Sequence, residues 1–194
     1  MTEADITIGA DGVARCWWCG DDPLYVAYHD DEWGRPLRDE RALYEKVCLE
    51  GFQSGLAWIT ILRKRDAFRA AFAGFDPEVV AGFDEPDVER LLADAGIVRH
   101  QGKIRAAIAN AQAVLAMREA GTSLVEVIWS HRPEPRPAPL TDRGQIPAQT
   151  PESVALAKEL RGWGIRFFGP TTAYALMQSA GLVDDHLHGC HRAP

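Results

Sequence analysis

The sequence has no long apolar run, no excess of basic residues and few cysteines. No apolar stretch approaches the roughly 20 residues that a membrane-spanning helix requires. The start of the chain lacks the basic and apolar regions of a secretory signal, so we expect a cytoplasmic protein with no membrane partner. The formal net charge of −7 argues against a surface that is basic throughout, as in many nucleic-acid-binding proteins.

Only four cysteines occur, at positions 16, 19, 48 and 190. Without a secretion signal they are expected to be reduced thiols, and Cys48 is typical of a buried core thiol. Cys16 and Cys19 form a C-x2-C pair, which in a redox protein would belong to a thioredoxin-like βαβ unit. Such a context is lacking, so a thiol redox function is disfavoured.

Cysteine and histidine form two short spacings at opposite ends of the chain. Cys16 and His29 stand near the start, and His186 and Cys190 near the end. Two thiolates and two imidazoles suit tetrahedral zinc, and a zinc ion here would tie the two ends together. From spacing alone, separate packing or surface roles explain the four residues equally well.

The rest of the chain indicates helices, because capping residues precede apolar residues at helical spacing. Gly51 to Gly55 is expected to end the first long helix, and Asp76-Pro77 and Asp84-Glu85-Pro86 mark two further helix starts. No alternating pattern is long enough for a sheet, so we predict an all-α helical bundle. The other predicted helices cover about 39–50, 55–65, 102–119, 123–130, 150–160 and 170–180.

Length and patterning predict one domain. Residues 1–14 are expected to be a flexible tail, and residues 15–194 a single helical domain. We expect two lobes, one built from the chain ends with the Cys and His residues and one around 40–130. The Pro-rich and Arg-rich stretch 132–148 is predicted to be a loop, because apolar periodicity resumes beyond it.

Glu50 continues the apolar helix face of Leu43 and Val47. A carboxylate there either has a partner, in a salt bridge or helix-end cap, or lines a pocket. Aromatic residues crowd the chain before residue 60. They usually fill a core, but they could also form a box for a flat, electron-poor ligand. They are Trp17, Trp18, Tyr25, Tyr28, Trp33 and Trp58.

The segment from Gly96 to Gly102 joins two predicted helices and has the outline of a helix-hairpin-helix. The second helix would direct its N-terminal amides, with Lys103 nearby, at a DNA phosphate. The tight Gly-x-Gly turn is absent, and many helix turns contain two glycines, so an ordinary helix turn remains open.

Four longer motifs resemble the 3-methyladenine DNA glycosylase I family of helix-hairpin-helix enzymes, over almost the whole chain after residue 14. They are RCWWCGDDPLYVAYHDDEWGRP, LYEKVCLEGFQSGLAWITILRKR, DVERLLADAGIVRHQGKIRAAIANA and ALMQSAGLVDDHLHGC. The resemblance implies a monomeric base-excision repair enzyme that acts on double-stranded DNA. It would flip a cationic 3-methyladenine into an aromatic pocket and hydrolyse its N-glycosidic bond.

The resemblance also implies site residues. Glu50 would read the polar edge of the base, Trp58 would stack on it and Tyr28 would hydrogen-bond to it, with Trp18, Tyr25 and Trp33 as further pocket walls. Leu56 beside Gly55 would be a wedge in the DNA stack, with Gly102 and Lys103 at the hairpin. One structural zinc would be held by Cys16, His29, His186 and Cys190.

The sequence leaves the metal ligands, the function and the minor substrates with alternatives. Cys19, His188 and His191 are rival metal ligands. The helix of residues 102–119 has no Asp to support the sugar cation and no lysine stands at a nucleophile position, so we expect a monofunctional enzyme without lyase activity. The alternative is a zinc-stapled DNA-binding module without catalysis, and 3-methylguanine is a further candidate substrate.

Overall fold

The computed structural model describes residues 5–194, and most of them are helical, as predicted. None of the helices in this range is long and apolar enough to cross a membrane. The helices are α1 (Pro23–Asp31), α2 (Glu40–Gln53), α3 (Trp58–Ala71), α4 (Pro77–Val80), α5 (Glu85–Ala93), α6 (Gln101–Glu119), α7 (Leu124–Ser130), α8 (Pro151–Trp163) and α9 (Pro170–Ser179).

A small antiparallel hairpin precedes the helices. Strand β1 (Ile6–Ile8) pairs with β2 (Ala14–Cys16), with Ile6 opposite Cys16. The prediction of a chain without strands is therefore wrong for this segment, because three-residue strands are too short to show a period of two. The tail predicted over 1–14 contains β1, and residues 1–4 lie outside the described residues.

Five of the predicted helix starts are confirmed by their side-chain caps. In each case a side-chain oxygen accepts a hydrogen bond from an amide of the first turn, which satisfies an otherwise unpaired donor. Asp22 caps α1 in the same way, although no helix is predicted there. The predicted caps are Asp39, Asp76, Asp84, Ser123 and Thr150.

The break after α2 lies later than predicted. Gly51 is inside the helix, where a Cβ atom would lie 3.2 Å from the backbone oxygen of Phe167. This glycine therefore allows a close approach instead of ending the helix. The break falls at Gly55, whose φ of +84° favours glycine, and α3 begins only at Trp58.

Helix α2 lies at the centre of the main core and packs against α3, α6, α7 and α9, while α8 lies along α9. A separate cluster of Tyr28, Trp33 and Leu62 forms where α1 meets α3. Between this cluster, the C-terminal half of α2 and α9, the chain leaves a cavity.

Candidate active site and metal-binding group

The cavity has a volume of about 250 Å³, and half of its lining residues are aromatic. Pockets for drug-sized ligands start at about 300 Å³, so this one suits a single flat ring system. All five predicted pocket aromatics and Glu50 line it. The lining residues are Trp17, Trp18, Tyr25, Tyr28, Trp33, Glu50, Gln53, Trp58, Ile146, Ala175, Gln178 and Ser179.

Glu50 is the only acidic side chain in this lining, and it is 4% exposed. Its carboxylate accepts a hydrogen bond from the Ser179 hydroxyl at 3.1 Å. Burial raises the pKa of Glu50 to about 7, against the opposing effects of Lys46 and Ser179. The site therefore holds a carboxyl group that changes charge near neutral pH, as functional acids often do.

Lys46 lies one turn before Glu50 on α2 and is also buried. Its Nζ donates to the Tyr28 hydroxyl at 3.3 Å and lies 4.8 Å from the centre of that ring. Burial lowers the pKa of Lys46, whereas the charge of Glu50 raises it. Lys46 is not among the lining residues, and its ammonium group lies over the Tyr28 ring, which does line the cavity.

The aromatic side chains of the lining contact one another in tilted and edge-to-face pairs. Trp18 lies 5.1 Å from Tyr25 and 5.0 Å from Trp33, and Tyr28 lies 5.5 Å from Trp58, between ring centres. The buried Nε1–H of Trp58 has no acceptor among the described residues. An acceptor on a ligand or a water molecule would satisfy this donor.

Four buried side chains from opposite ends of the chain converge beside the cavity. One ligand atom from each lies within 4.8 Å of the others, and the four are Cys16, His29, His186 and Cys190. Cys190 Sγ lies 3.5 Å from His29 Nε2 and 3.6 Å from His186 Nδ1. Zinc bonds of about 2.3 Å to sulfur and 2.0 Å to nitrogen put tetrahedral ligands about 3.5 Å apart, so the group fits a metal ion.

The second nitrogen of each imidazole is already engaged. His29 Nδ1 donates to the Asp30 carboxylate at 2.8 Å, and His186 Nε2 donates to the Trp33 carbonyl at 3.4 Å. These bonds turn His29 Nε2 and His186 Nδ1 toward the sulfurs, which is how outer residues orient metal ligands. Trp33 also lines the cavity, so the two sites share a wall.

The rival ligands occupy other positions. The Cys19 thiol donates to the Cys16 carbonyl at 3.3 Å and is not part of the group of four. His191 pairs with Asp30 at 2.9 Å in a neighbouring cluster, and His188 is exposed. The group of four is therefore the one derived from the family motifs.

The expected DNA-contacting residues lie on a neighbouring face. Leu56 is 41% exposed and follows Gly55, as a wedge requires. Gly102 lies in the first turn of α6. The surroundings of Lys103 differ from the expectation, because its Nζ donates to the carbonyls of Phe52 and Ser54 at 2.8 and 2.7 Å.

The sequence reasoning missed Ser179 and Lys46. Ser179 is 129 residues from Glu50 along the chain, so no local pattern could join them. Lys46 carried a signal, because it stands four residues before Glu50 and therefore on the same face of α2. Gln53 stands three residues after Glu50, so its spacing also places it on the same face of α2.

Comparison with known proteins gives one family. A family model described as methyladenine glycosylase matches residues 18–193. DNA-3-methyladenine glycosylase 1 of Escherichia coli (strain K12) is 51% identical over 179 residues, which is 91% of this chain and 95% of that protein. DNA-3-methyladenine glycosylase of Haemophilus influenzae is 45% identical, over 91% of this chain and 96% of that protein.

Comparison with solved structures gives the same family. A crystal structure of 3-methyladenine DNA glycosylase I is similar with a TM-score of 0.90 and 50% identity, over 93% of this chain and all of that one. The enzyme from Staphylococcus aureus, studied for its recognition of 3-methyladenine, is similar with a TM-score of 0.85 and 36% identity, over 89% and 93% of the two chains. The chain belongs to the methyladenine glycosylase family.

Proposed function

We propose that this chain is a DNA glycosylase that releases 3-methyladenine from alkylated DNA. The observation that carries the proposal is the small aromatic cavity with a single buried carboxyl, Glu50, at its wall. Family membership supports the same substrate. The target base must leave the duplex to reach such a cavity, so the enzyme flips the nucleotide.

Selectivity comes from the charge of the lesion. Methylation at N3 makes adenine cationic, and the faces of Trp58 and Tyr28 attract a cation more strongly than a neutral base. The Glu50 carboxylate accepts from the amino edge of the base. Undamaged bases lack the charge and gain less from the same walls.

Hydrolysis needs little acid catalysis. The C1′–N9 bond breaks with its electron pair moving to the base, which leaves as neutral 3-methyladenine. Water adds its oxygen to C1′ and releases its proton to solvent. Glu50 holds and orients the base while this occurs, and the aromatic walls exclude other water from it.

We propose a monofunctional enzyme without lyase activity. A lyase needs an amine that attacks C1′, and lysine serves when its pKa is lowered. Lys46 has a lowered pKa, but it does not line the cavity and its Nζ donates to the Tyr28 hydroxyl, while Lys103 donates to two backbone carbonyls. Borohydride trapping with abasic DNA is expected to give no covalent adduct, and a trapped adduct would contradict this assignment.

We propose zinc as the metal of Cys16, His29, His186 and Cys190. With four protein ligands the ion has no open position, so its contribution is structural. It joins β2 to the C-terminal segment and, through His29 and Trp33, supports one wall of the base pocket.

The duplex partner is proposed to meet the face that carries Leu56. Helices α5 and α6 serve as the helix-hairpin-helix, with Gly102 at a phosphate, while Lys103 supports the loop before Leu56 instead of binding DNA directly. Residues 15–194 act as one domain, with the pocket between the two lobes. A monomer suffices, because one chain supplies the whole pocket.

Chromatography of the bases released from methylated duplex DNA tests the function. We expect free 3-methyladenine, with 3-methylguanine as a minor product, and abasic strands that stay unbroken. Duplex binding without any base release would favour the alternative, a non-catalytic DNA-binding module. Release of 7-methylguanine alone would assign a different substrate.

Trp58→Ala is expected to weaken binding of free 3-methyladenine about 10-fold or more, since stacking on an aromatic ring contributes ~1–3 kcal/mol per base. Calorimetric titration measures this. Trp58→Phe keeps a ring and is expected to retain most of the affinity. Equal affinity of the alanine variant and the wild type would remove Trp58 from the pocket.

Lys46→Met is expected to shift the acidic limb of the excision pH profile to higher pH by about one pH unit, the effect of removing a neighbouring buried charge. The reason is that Lys46 lowers the pKa of Glu50, so its removal keeps Glu50 protonated to a higher pH. Single-turnover rates from pH 5 to 9 measure the limb. The exposed Lys158→Met serves as control, and an unmoved limb in Lys46→Met would contradict the coupling.

A further inference from the structure

The loop between α8 and α9 presents an aromatic side chain to solvent. Phe167 is 45% exposed, and its φ of +52° lies in the left-handed region that bulky residues disfavour. Exposed aromatic residues and strained backbone are each uncommon, and strain of this kind concentrates at functional sites. The pocket described above does not include Phe167.

The surrounding structure holds this loop in place. The Asn110 side chain accepts from the Arg166 amide at 2.7 Å and donates to the Arg166 carbonyl at 3.4 Å. A Cβ atom on Gly102 would lie 3.3 Å from the Phe167 ring, which also contacts His100. The loop is therefore fixed against the first turn of α6.

Phe167 lies close to the proposed wedge. Ser54 and Phe167 line one open cavity of about 650 Å³. Ser54 is followed directly by Gly55 and Leu56, so the exposed Leu56 is two residues along the chain from this cavity, and the exposed Phe167 lines it. Arg161 and Arg166 line the same cavity.

These two arginines differ from most others in the chain. Within residues 5–194 most arginines form ion pairs with Asp or Glu, for example Arg65 with Glu32 and Arg105 with Glu85. Arg161 and Arg166 are exposed, and neither has a carboxylate within 4.0 Å in this range. The Arg166 guanidinium donates only to the Ile165 carbonyl, at 3.5 Å. In an acidic chain, guanidinium groups without a carboxylate partner at one cavity complement phosphate, which they bind as a planar fork.

We propose that the C-terminal turn of α8, which carries Arg161, and the following loop of residues 164–169 form a second DNA-contacting element beside the Leu56 wedge. Arg161 and Arg166 bind backbone phosphates, and the Phe167 ring packs against sugars and base edges in the minor groove. Apolar side chains commonly enter that groove. The inference rests on the proposed function, because that function supplies the duplex.

The test is equilibrium binding to a duplex with a non-hydrolysable abasic site. Fluorescence anisotropy measures the binding at several salt concentrations. Arg166→Ala and Arg161→Ala are each expected to flatten the slope of log K against log salt by about 0.9, the value for one phosphate. Phe167→Ala is expected to weaken binding about 10-fold without changing the slope. All three are expected to bind free 3-methyladenine like the wild type.

Matched controls lie away from this face. Val79→Ala removes an equally exposed hydrophobic side chain near the C-terminal end of α6, and Arg132→Ala removes an exposed arginine beside Trp129. Phe167→Leu, with melting temperatures for all variants, separates lost contact from lost folding. If the Arg161, Arg166 and Phe167 alanine variants bind the duplex as the controls do while the wild type excises 3-methyladenine, this inference is wrong. If the wild type excises nothing, the proposed function fails instead.

Discussion

Glu50→Gln is expected to lower single-turnover excision of 3-methyladenine about 100-fold while the variant melts at a higher temperature than the wild type. The loss follows because the amide keeps the shape of the side chain but not the charge. A charged hydrogen-bond acceptor and its attraction for a cationic base together contribute roughly 2–3 kcal/mol. The measurement is the rate of base release at enzyme excess.

The gain in stability follows from the raised pKa of Glu50. The folded protein binds this proton more tightly than the unfolded chain, with a pKa of about 7 against an ordinary value of 4.5. The associated stability is complete below about pH 4.5 and is lost as the pH rises through 7. Above pH 7 the buried charge costs at most about 3 kcal/mol, which glutamine avoids, so the melting temperature rises by several degrees.

Glu119→Gln is the control, since Glu119 is an exposed acid at the far end of α6. It is expected to change neither the rate nor the melting temperature. A Glu50→Gln enzyme with wild-type rates would remove Glu50 from the site. A variant that is both slow and less stable would indicate a structural role for the carboxylate instead.

Cys190→Ser is expected to lose bound zinc and to melt more than about 10 °C below the wild type. Metal binding to a site that exists only in the folded chain contributes directly to folding stability. Metal analysis is expected to give about one zinc per wild-type chain, as four protein ligands require. Excision well below the melting temperature is expected to fall less than stability does, because no step of the reaction uses the ion.

Cys19→Ser is a closely matched control. Cys19 is also a buried thiol near β2, but it donates to the Cys16 carbonyl and lies outside the group of four. The Cys19→Ser variant is expected to keep its bound zinc. Zinc loss in Cys190→Ser with an unchanged melting temperature would contradict a structural metal, and zinc retention would contradict the ligand assignment.

Helix starts were the part of the fold that local chemistry predicts well. An Asp, Ser or Thr cap followed by apolar residues acts within one turn, as at Asp39 and Thr150. Helix ends were less predictable, because the role of Gly51 depends on Phe167, which is distant in sequence. Helix α1 was missed although Asp22-Pro23 is the same signal, since its apolar and polar residues do not separate into two faces.

The candidate site also has residues that the sequence predicts and contacts that it does not. Glu50 could be selected because a carboxylate interrupts an apolar helix face, and family motifs supplied the metal group and the pocket aromatics. Spacing alone left the metal group open. The Ser179 hydrogen bond and the buried position of Lys103 come from contacts between distant segments, which no single-sequence pattern encodes.

The central claim is that the cavity between Glu50 and Trp58 binds the excised base. The most direct test is a titration of the protein with free 3-methyladenine, in which NMR records the signals of the indole N–H groups. The Trp58 signal is expected to shift and saturate at one equivalent, because its N–H has no acceptor within residues 5–194. The signal of Trp129, whose N–H donates to the Leu37 carbonyl, is expected to stay unmoved. Binding that leaves the Trp58 and Trp18 signals unchanged would contradict the claim.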